Sequence, residues 1–177
     1  MGNKKSSNPK WATMAVNRCA KIFPPDEYMG QKFTFLDVGA RDGFCTKLLN
    51  EKGYDGIGVD VEPTTDYEFL FKQDFKDVTG YFDLVFARHV IEHFDDIDWF
   101  LEKCKNIVLG GGGIFLVFPL QDKGHIGSKH QSAIPSIKEF RKHTEKAGFE
   151  EVACGKMRKK GRTGKYDEVY YAGIIDS

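Results

Sequence analysis

From Phe33 onward, short apolar runs that end in Asp or Gly alternate with longer amphipathic segments, and this alternation restricts the fold more than any other feature of the chain. The runs Phe33–Val38, Gly56–Val61, Glu68–Lys72, Asp83–Ala87 and Ile114–Pro119 read as strands. Phe44–Lys52 reads as a helix ended near Gly53. Asp95–Leu109 reads as a second helix, with Ile97, Phe100, Leu101, Cys104, Ile107 and Val108 on one face and Gly110–Gly113 as its stop. Strands joined through helices pair in parallel by right-handed crossovers, which lays helices on both faces of an open sheet. The expected class is therefore α/β with a mainly parallel sheet.

The flanks complete this pattern. Met1–Pro9 is a polar Lys/Ser/Asn arm, expected to be flexible. Trp11, Met14, Ala15, Arg18, Cys19 and Ile22 then recur at helical spacing until Pro24-Pro25. Ser136 is a helix cap with Glu139 three residues on, and that helix runs through Ala147 to a stop at Gly148. Glu151–Lys156 and Val169–Ile175 read as a C-terminal hairpin, which adds antiparallel strands to the sheet. The stretch Glu62–Tyr67 is too short for a full crossover helix, so one turn or none is expected between the second and third strands.

With 177 residues, 41% of them hydrophobic, the chain is expected to form a single domain over 10–177. Formal net charge is zero, so partners must be read from local patches: a basic Lys156–Lys165 turn and an acid-rich Glu92–Glu102 stretch. Cys19, Cys45, Cys104 and Cys154 lie far apart, without metal-knuckle spacing or a secretory leader, which points to reduced thiols and a cytoplasmic protein. No apolar run approaches the ~20 residues of a membrane span, so no membrane partner is expected.

The sharpest local motif is Leu36-Asp37-Val38-Gly39-Ala40-Arg41-Asp42-Gly43-Phe44, an apolar strand running through a glycine-containing turn into a helix. Glycine lets a ligand approach the backbone closely, and the helix start turns amides toward the same crevice. Arg41 stands where the dinucleotide fingerprint has its second glycine. Asp37 at the strand tip would repel a pyrophosphate and favours a cationic ligand, such as the ammonium and sulfonium of S-adenosylmethionine. Asp60 ends the next strand, where an acid accepts hydrogen bonds from ribose hydroxyls. Asp74-Phe75 follows the third strand, suited to an adenine amino group and ring.

Taken in order with Asp83-Leu-Val-Phe-Ala-Arg-His-Val-Ile-Glu-His93, Gly148-Phe-Glu150 and the final hairpin, these segments resemble the successive motifs of class I S-adenosylmethionine-dependent methyltransferases, of the small type 11/type 23-like kind. The resemblance covers Phe33 to about Ile175 and implies a Rossmann-like sheet with S-adenosyl-L-methionine as methyl donor. It places Asp37 and Gly39 near the amino-acid moiety, Asp60 at the ribose, and Asp74 and Phe75 at adenine, with Ala40, Gly43 and Val61 as further donor-binding residues. Ala87, Arg88 and His89 would line the methyl end. The Asn/Asp-Pro-Pro-Tyr of amino-directed DNA methyltransferases is replaced by Ala87-Arg88-His89-Val90, which disfavours DNA bases.

His89-Val90-Ile91-Glu92-His93 also spells H-x-x-E-H, which gives a remote zinc-hydrolase alternative if the segment lies on a long helix. Quinone-precursor and small-RNA terminal methyltransferases show a similar E-x-x-E-H after the same strand, so Glu92, His93 and His130 are candidates for a divalent metal, an option not favoured because His89 replaces the first Glu. The Leu120–Pro135 loop, with His125, Lys129, His130 and Gln131, is the expected substrate lid; His93 and His130 are the candidate proton acceptors. A small-molecule acceptor attacking through O, N or C is favoured. The rivals are an RNA- or protein-directed enzyme using the 156–165 turn and a non-catalytic S-adenosylmethionine-binding protein.

Overall fold

The computed structural model describes residues 9–26, 30–120, 134–158 and 167–176. The polar arm before Pro9, the lid from 121 to 133 and the basic turn from 159 to 166 lie outside the described residues. The elements run α1 (Pro9–Ile22), β1 (Thr34–Val38), α2 (Phe44–Glu51), β2 (Asp55–Asp60), β3 (Leu70–Lys72), β4 (Phe82–Arg88), α3 (Ile97–Ile107), β5 (Val108–Pro119), α4 (Ile137–Ala147), β6 (Glu150–Arg158) and β7 (Glu168–Ile174). Single 3₁₀ turns occupy Phe75–Asp77 and Ile91–His93.

The strands form one seven-stranded sheet in the order β3-β2-β1-β4-β5-β7-β6. β1 to β5 pair in parallel, while β7 pairs antiparallel with both β5 and β6. The hairpin thus adds its second strand, β7, inside the sheet and leaves β6 at the edge.

Side chains alternate across each strand because the pleat has a period of two. Leu84 and Phe86 of β4, with Phe115 and Val117 of β5, face α1 and α2 through Ala12, Val16, Cys19, Cys45 and Leu49. Val85, Ala87, Ile114, Leu116 and Phe118 face the opposite way, toward Phe100, Leu101 and Cys104 of α3 and Phe140 of α4. Helices therefore cover both faces, as the periodicity requires.

Ser136 caps α4 by accepting from the Glu139 amide at 3.2 Å, and Gly148 ends the helix in the left-handed conformation. The connection between β2 and β3 contains no helix, in line with its length. Two expectations shift. On α1 the buried stripe is Ala12, Ala15, Val16 and Cys19, whereas Met14 is exposed: small residues let this helix lie close against the sheet. The Gly110–Gly113 run is not the end of α3 but part of β5, which starts at Val108. A side chain on Gly113 would come within 2.5 Å of the Gly173 carbonyl and 2.9 Å of the Phe23 ring, so close approach of β7 and Phe23 is what requires glycine there. Among the described residues no helix is long and apolar enough to cross a membrane.

Candidate active site

The strand order reverses direction between β1 and β4, the topological switch point at which open α/β sheets bind ligands. A crevice of about 870 Å³ opens there at the carboxyl ends of β1, β2 and β4, within the ~300–1,000 Å³ range of small-molecule sites. Gly39, Asp60, Val61, Asp74, Phe75, Arg88, His89 and His93 line it, as do Val38, Arg41, Val59, Glu62, Gln73, Val90 and Phe94.

The turn after β1 is built by its neighbours. Gly39 (φ 69) and Ala40 donate from their amides to the Val59 carbonyl at 2.9 and 3.0 Å. A Cβ on Gly39 would sit 2.4 Å from Val90 Cγ2. Glycine is thus demanded by the loop after β4 as much as by any ligand. Asp60 at the tip of β2 organises the turn and the crevice together: its Oδ2 accepts from the Arg41 amide at 3.0 Å and its Oδ1 from the Glu62 amide at 2.8 Å. Each oxygen keeps a further lone pair for a hydroxyl donor.

Asp37 takes a different position from the one its strand-tip location suggests. Alternation along β1 turns it away from Leu36 and Val38, under α2, where it is 2% exposed and accepts from Thr46 Oγ1 at 2.7 Å. Burial pushes its carboxyl up to about 7, against the hydrogen bonds from Thr46 that favour the charged form. Asp37 therefore stands behind the crevice wall. Ala40, Gly43 and Ala87 are likewise buried and off the wall: Ala40 faces Gly58 of β2, and Gly43 lies against Tyr67, Phe69 and Leu70.

Asp74 caps the 3₁₀ turn Phe75–Asp77, accepting from the Lys76 amide at 3.1 Å and pairing with Lys76 Nζ at 3.2 Å. Phe75 extends from the core to the crevice, packed at 5.2 Å on Phe100 and edge-on at 6.2 Å to Phe94. Phe94, whose ring also stacks on Trp99, was not singled out by the sequence, although an aromatic directly after the His93 motif was a signal available there.

At the end of β4, His89 adopts φ 57, an uncommon conformation for a non-glycine residue. Its Nδ1 faces Glu92 Oε1 at 3.2 Å and its Nε2 faces Glu168 Oε1, from β7, at 3.0 Å. Ionised carboxylates only accept, so contact with both Glu92 and Glu168 favours the doubly protonated ring, in which each nitrogen donates. Burial is the largest single influence and opposes that charge, but the bonds and charges of Glu168 and Glu92 together raise the pKa above 6.5. Arg88 Nη2 lies 4.0 Å from the same Glu168 oxygen. The network ties β4 to the hairpin across β5.

This geometry removes the zinc-hydrolase alternative. His89 sits after a strand, Ile91–His93 is one 3₁₀ turn rather than part of a long helix, and both nitrogens of His89 face carboxylates. Among the described residues no three His, Cys, Asp or Glu side chains gather as metal ligands; His130, the third member of the expected trio, lies outside them.

A doubly covered sheet of this order, with an acid at the β2 tip and a nucleoside-sized crevice at the switch point, defines a class I S-adenosylmethionine-dependent methyltransferase fold. Residues 10–154 match the family described as Methyltransferase domain, and the chain belongs to it. It is 28% identical over 127 residues to a ubiquinone biosynthesis O-methyltransferase of Mesorhizobium japonicum, a match that takes in 62% of this chain and 51% of that protein. The chain thus spans about half the length of that curated relative. In structure it resembles the 1,6-didemethyltoxoflavin-N1-methyltransferase of Burkholderia thailandensis, solved with its acceptor and S-adenosylhomocysteine, at TM-score 0.77 and 14% identity over 96% of this chain and 80% of that one. It also resembles the magnesium protoporphyrin IX methyltransferase of Synechocystis, with bound S-adenosylhomocysteine, at TM-score 0.71 and 13% identity over 99% and 90% of the two chains.

Proposed function

We propose that residues 10–177 form one domain that binds S-adenosylmethionine and transfers its methyl group to an O, N or C nucleophile of a small molecule in the cytoplasm. The observation that carries the reading is Asp60, at the tip of β2 on the wall of the switch-point crevice, with Phe75 and Asp74 beyond it on the β3 side. That order suits ribose at Asp60, adenine between Val61 and Phe75, and the sulfonium toward Arg88 and His89. Asp37, Gly39, Ala40, Gly43 and Ala87 support this wall, Gly39 from its surface and the others from behind it. The ubiquinone relative methylates oxygen by its name, so hydroxyl groups are the first acceptors to assay. The four free cysteine thiols suit a reducing compartment.

The bound donor supplies an electrophilic methyl group, and the chain supplies position. Holding nucleophile and methyl in line accounts for much of the acceleration such a site needs. His89, with both ring nitrogens facing carboxylates, has none left to take a proton from the acceptor and serves to hold the loop after β4. His93, on the crevice wall, is the histidine placed to accept the acceptor's proton, with His130 as the candidate from the loop.

Calorimetry with S-adenosylmethionine and S-adenosylhomocysteine tests the donor site. Both are expected to bind the unaltered protein, and Asp60→Ala should weaken both at least about tenfold, the loss of a charge-assisted pair of hydrogen bonds. Labelled methyl donor incubated with a metabolite extract, followed by identification of the labelled product, tests transfer and acceptor. Binding without labelling indicates a non-catalytic binder, and label on RNA or protein overturns the small-molecule reading.

A further inference from the structure

Arg41 takes the left-handed conformation (φ 50) at the place where a dinucleotide-binding turn carries its second glycine. The conformation is held from two sides: the amide donates to Asp60 Oδ2 at 3.0 Å and the carbonyl accepts from the Thr64 amide at 2.8 Å. Glycine would adopt it without strain and make the same backbone bonds. What arginine adds is a cationic side chain on a half-buried residue of the crevice wall.

The other cations of the wall already face carboxylates, although Arg88 Nε is buried without a hydrogen-bond partner among the described residues. Arg88 approaches Glu168 at 4.0 Å, and His89 lies between Glu168 and Glu92. Among the described residues the Arg41 guanidinium has no carboxylate partner. The start of α2 offers little as a substitute anion site, because Asp42 already accepts from the Phe44 amide and Asp37 from Thr46 Oγ1. A guanidinium recognises carboxylates through paired N–H donors, and the methyl donor carries one anionic group, the carboxylate of its amino-acid moiety.

We propose that Arg41 binds the donor's carboxylate and so distinguishes S-adenosylmethionine and S-adenosylhomocysteine from adenosine ligands that lack the amino acid. This inference rests on the donor reading above. It assigns a role to the residue at which the turn departs from the glycine pattern.

The test is calorimetry of the full chain with S-adenosylhomocysteine and with methylthioadenosine, which keeps the adenosine and thioether but has no carboxylate. Arg41→Gln is expected to weaken S-adenosylhomocysteine about 10–100-fold, as for loss of a charge-assisted pair, and to leave methylthioadenosine within about twofold. The unaltered protein's affinity for S-adenosylhomocysteine should fall with salt more steeply than the variant's. Arg41→Gly, which relaxes the backbone and stays folded, should show the same selective loss, so a distorted turn in the glutamine variant is not the cause. Equal weakening of both ligands, or of neither, overturns the role of Arg41 and leaves the donor site standing. Binding of neither ligand to the unaltered protein overturns both.

Discussion

Replacing Asp37 with asparagine isolates the electrostatic cost of the turn that carries the crevice. Asp37 is 2% exposed, and its carboxyl is pushed from the ordinary 3.8 to about 7, first by burial and then by the nearby charges of Asp42 and Asp60. Between those two values the folded chain holds a proton that the unfolded chain has released. The native state binds more protons in that window, so the stability due to the neutral carboxyl is complete below about pH 4 and is lost as pH rises toward 7. A rise from 3.8 to about 7, at ~1.36 kcal/mol per unit, amounts to about 4 kcal/mol by pH 8. Asparagine keeps the shape and a carbonyl for the Thr46 hydroxyl and has no proton to lose. Asp37→Asn should therefore unfold with a free energy that changes by about 4 kcal/mol less between pH 4 and pH 8 than that of the unaltered protein, and should be the more stable of the two at about pH 8. Urea denaturation followed by circular dichroism at several pH values measures both. Parallel pH profiles, or an asparagine variant less stable at about pH 8, would show that Asp37 is ionised and favourably held, and the burial argument would fail.

Glu168→Gln keeps an acceptor oxygen but removes one of the two carboxylate charges beside His89, so the raised imidazole pKa should drop toward the ordinary value; NMR titration of the ring reads it, and an unmoved titration refutes the bridge. In the unaltered protein the stability from the His89 pairs is complete below the unfolded-chain pKa and fades as pH rises through the raised folded value, a slope that Glu168→Gln should flatten. Gly39→Ala combines φ 69 with a 2.4 Å approach to Val90, and should cost about 2 kcal/mol or more in urea denaturation; a change under ~0.5 kcal/mol would mean the turn and the β4 loop adjust freely. Phe75→Ala removes a ring that is 4% exposed and should destabilise by about 3–5 kcal/mol as well as weaken adenosine binding in calorimetry. Normal stability with lost binding would make Phe75 a surface contact rather than part of the core.

The periodicity of the sequence alone determined the α/β class, the order of strands and helices along the chain and the missing helix between β2 and β3, because burial patterns with periods of two and of 3.6 residues are local properties of the chain. Asp60, Asp74, Phe75 and the His89–His93 segment were also legible, since strand tips at a switch point can be located from strand boundaries. Other features needed the folded structure. Which side of β1 Asp37 takes depends on where α2 lies, and only the fold shows it as a buried acid that accepts from Thr46. The glycines before Ile114 read as a helix stop, yet the neighbouring β7 and Phe23 make them part of a strand. The partner of His89 lies 79 residues away on β7, and no spacing in the chain announces it. Local pattern sets what each segment can become; which side chains meet across the sheet is decided only when strands distant in sequence pair, because those contacts exist in no segment by itself.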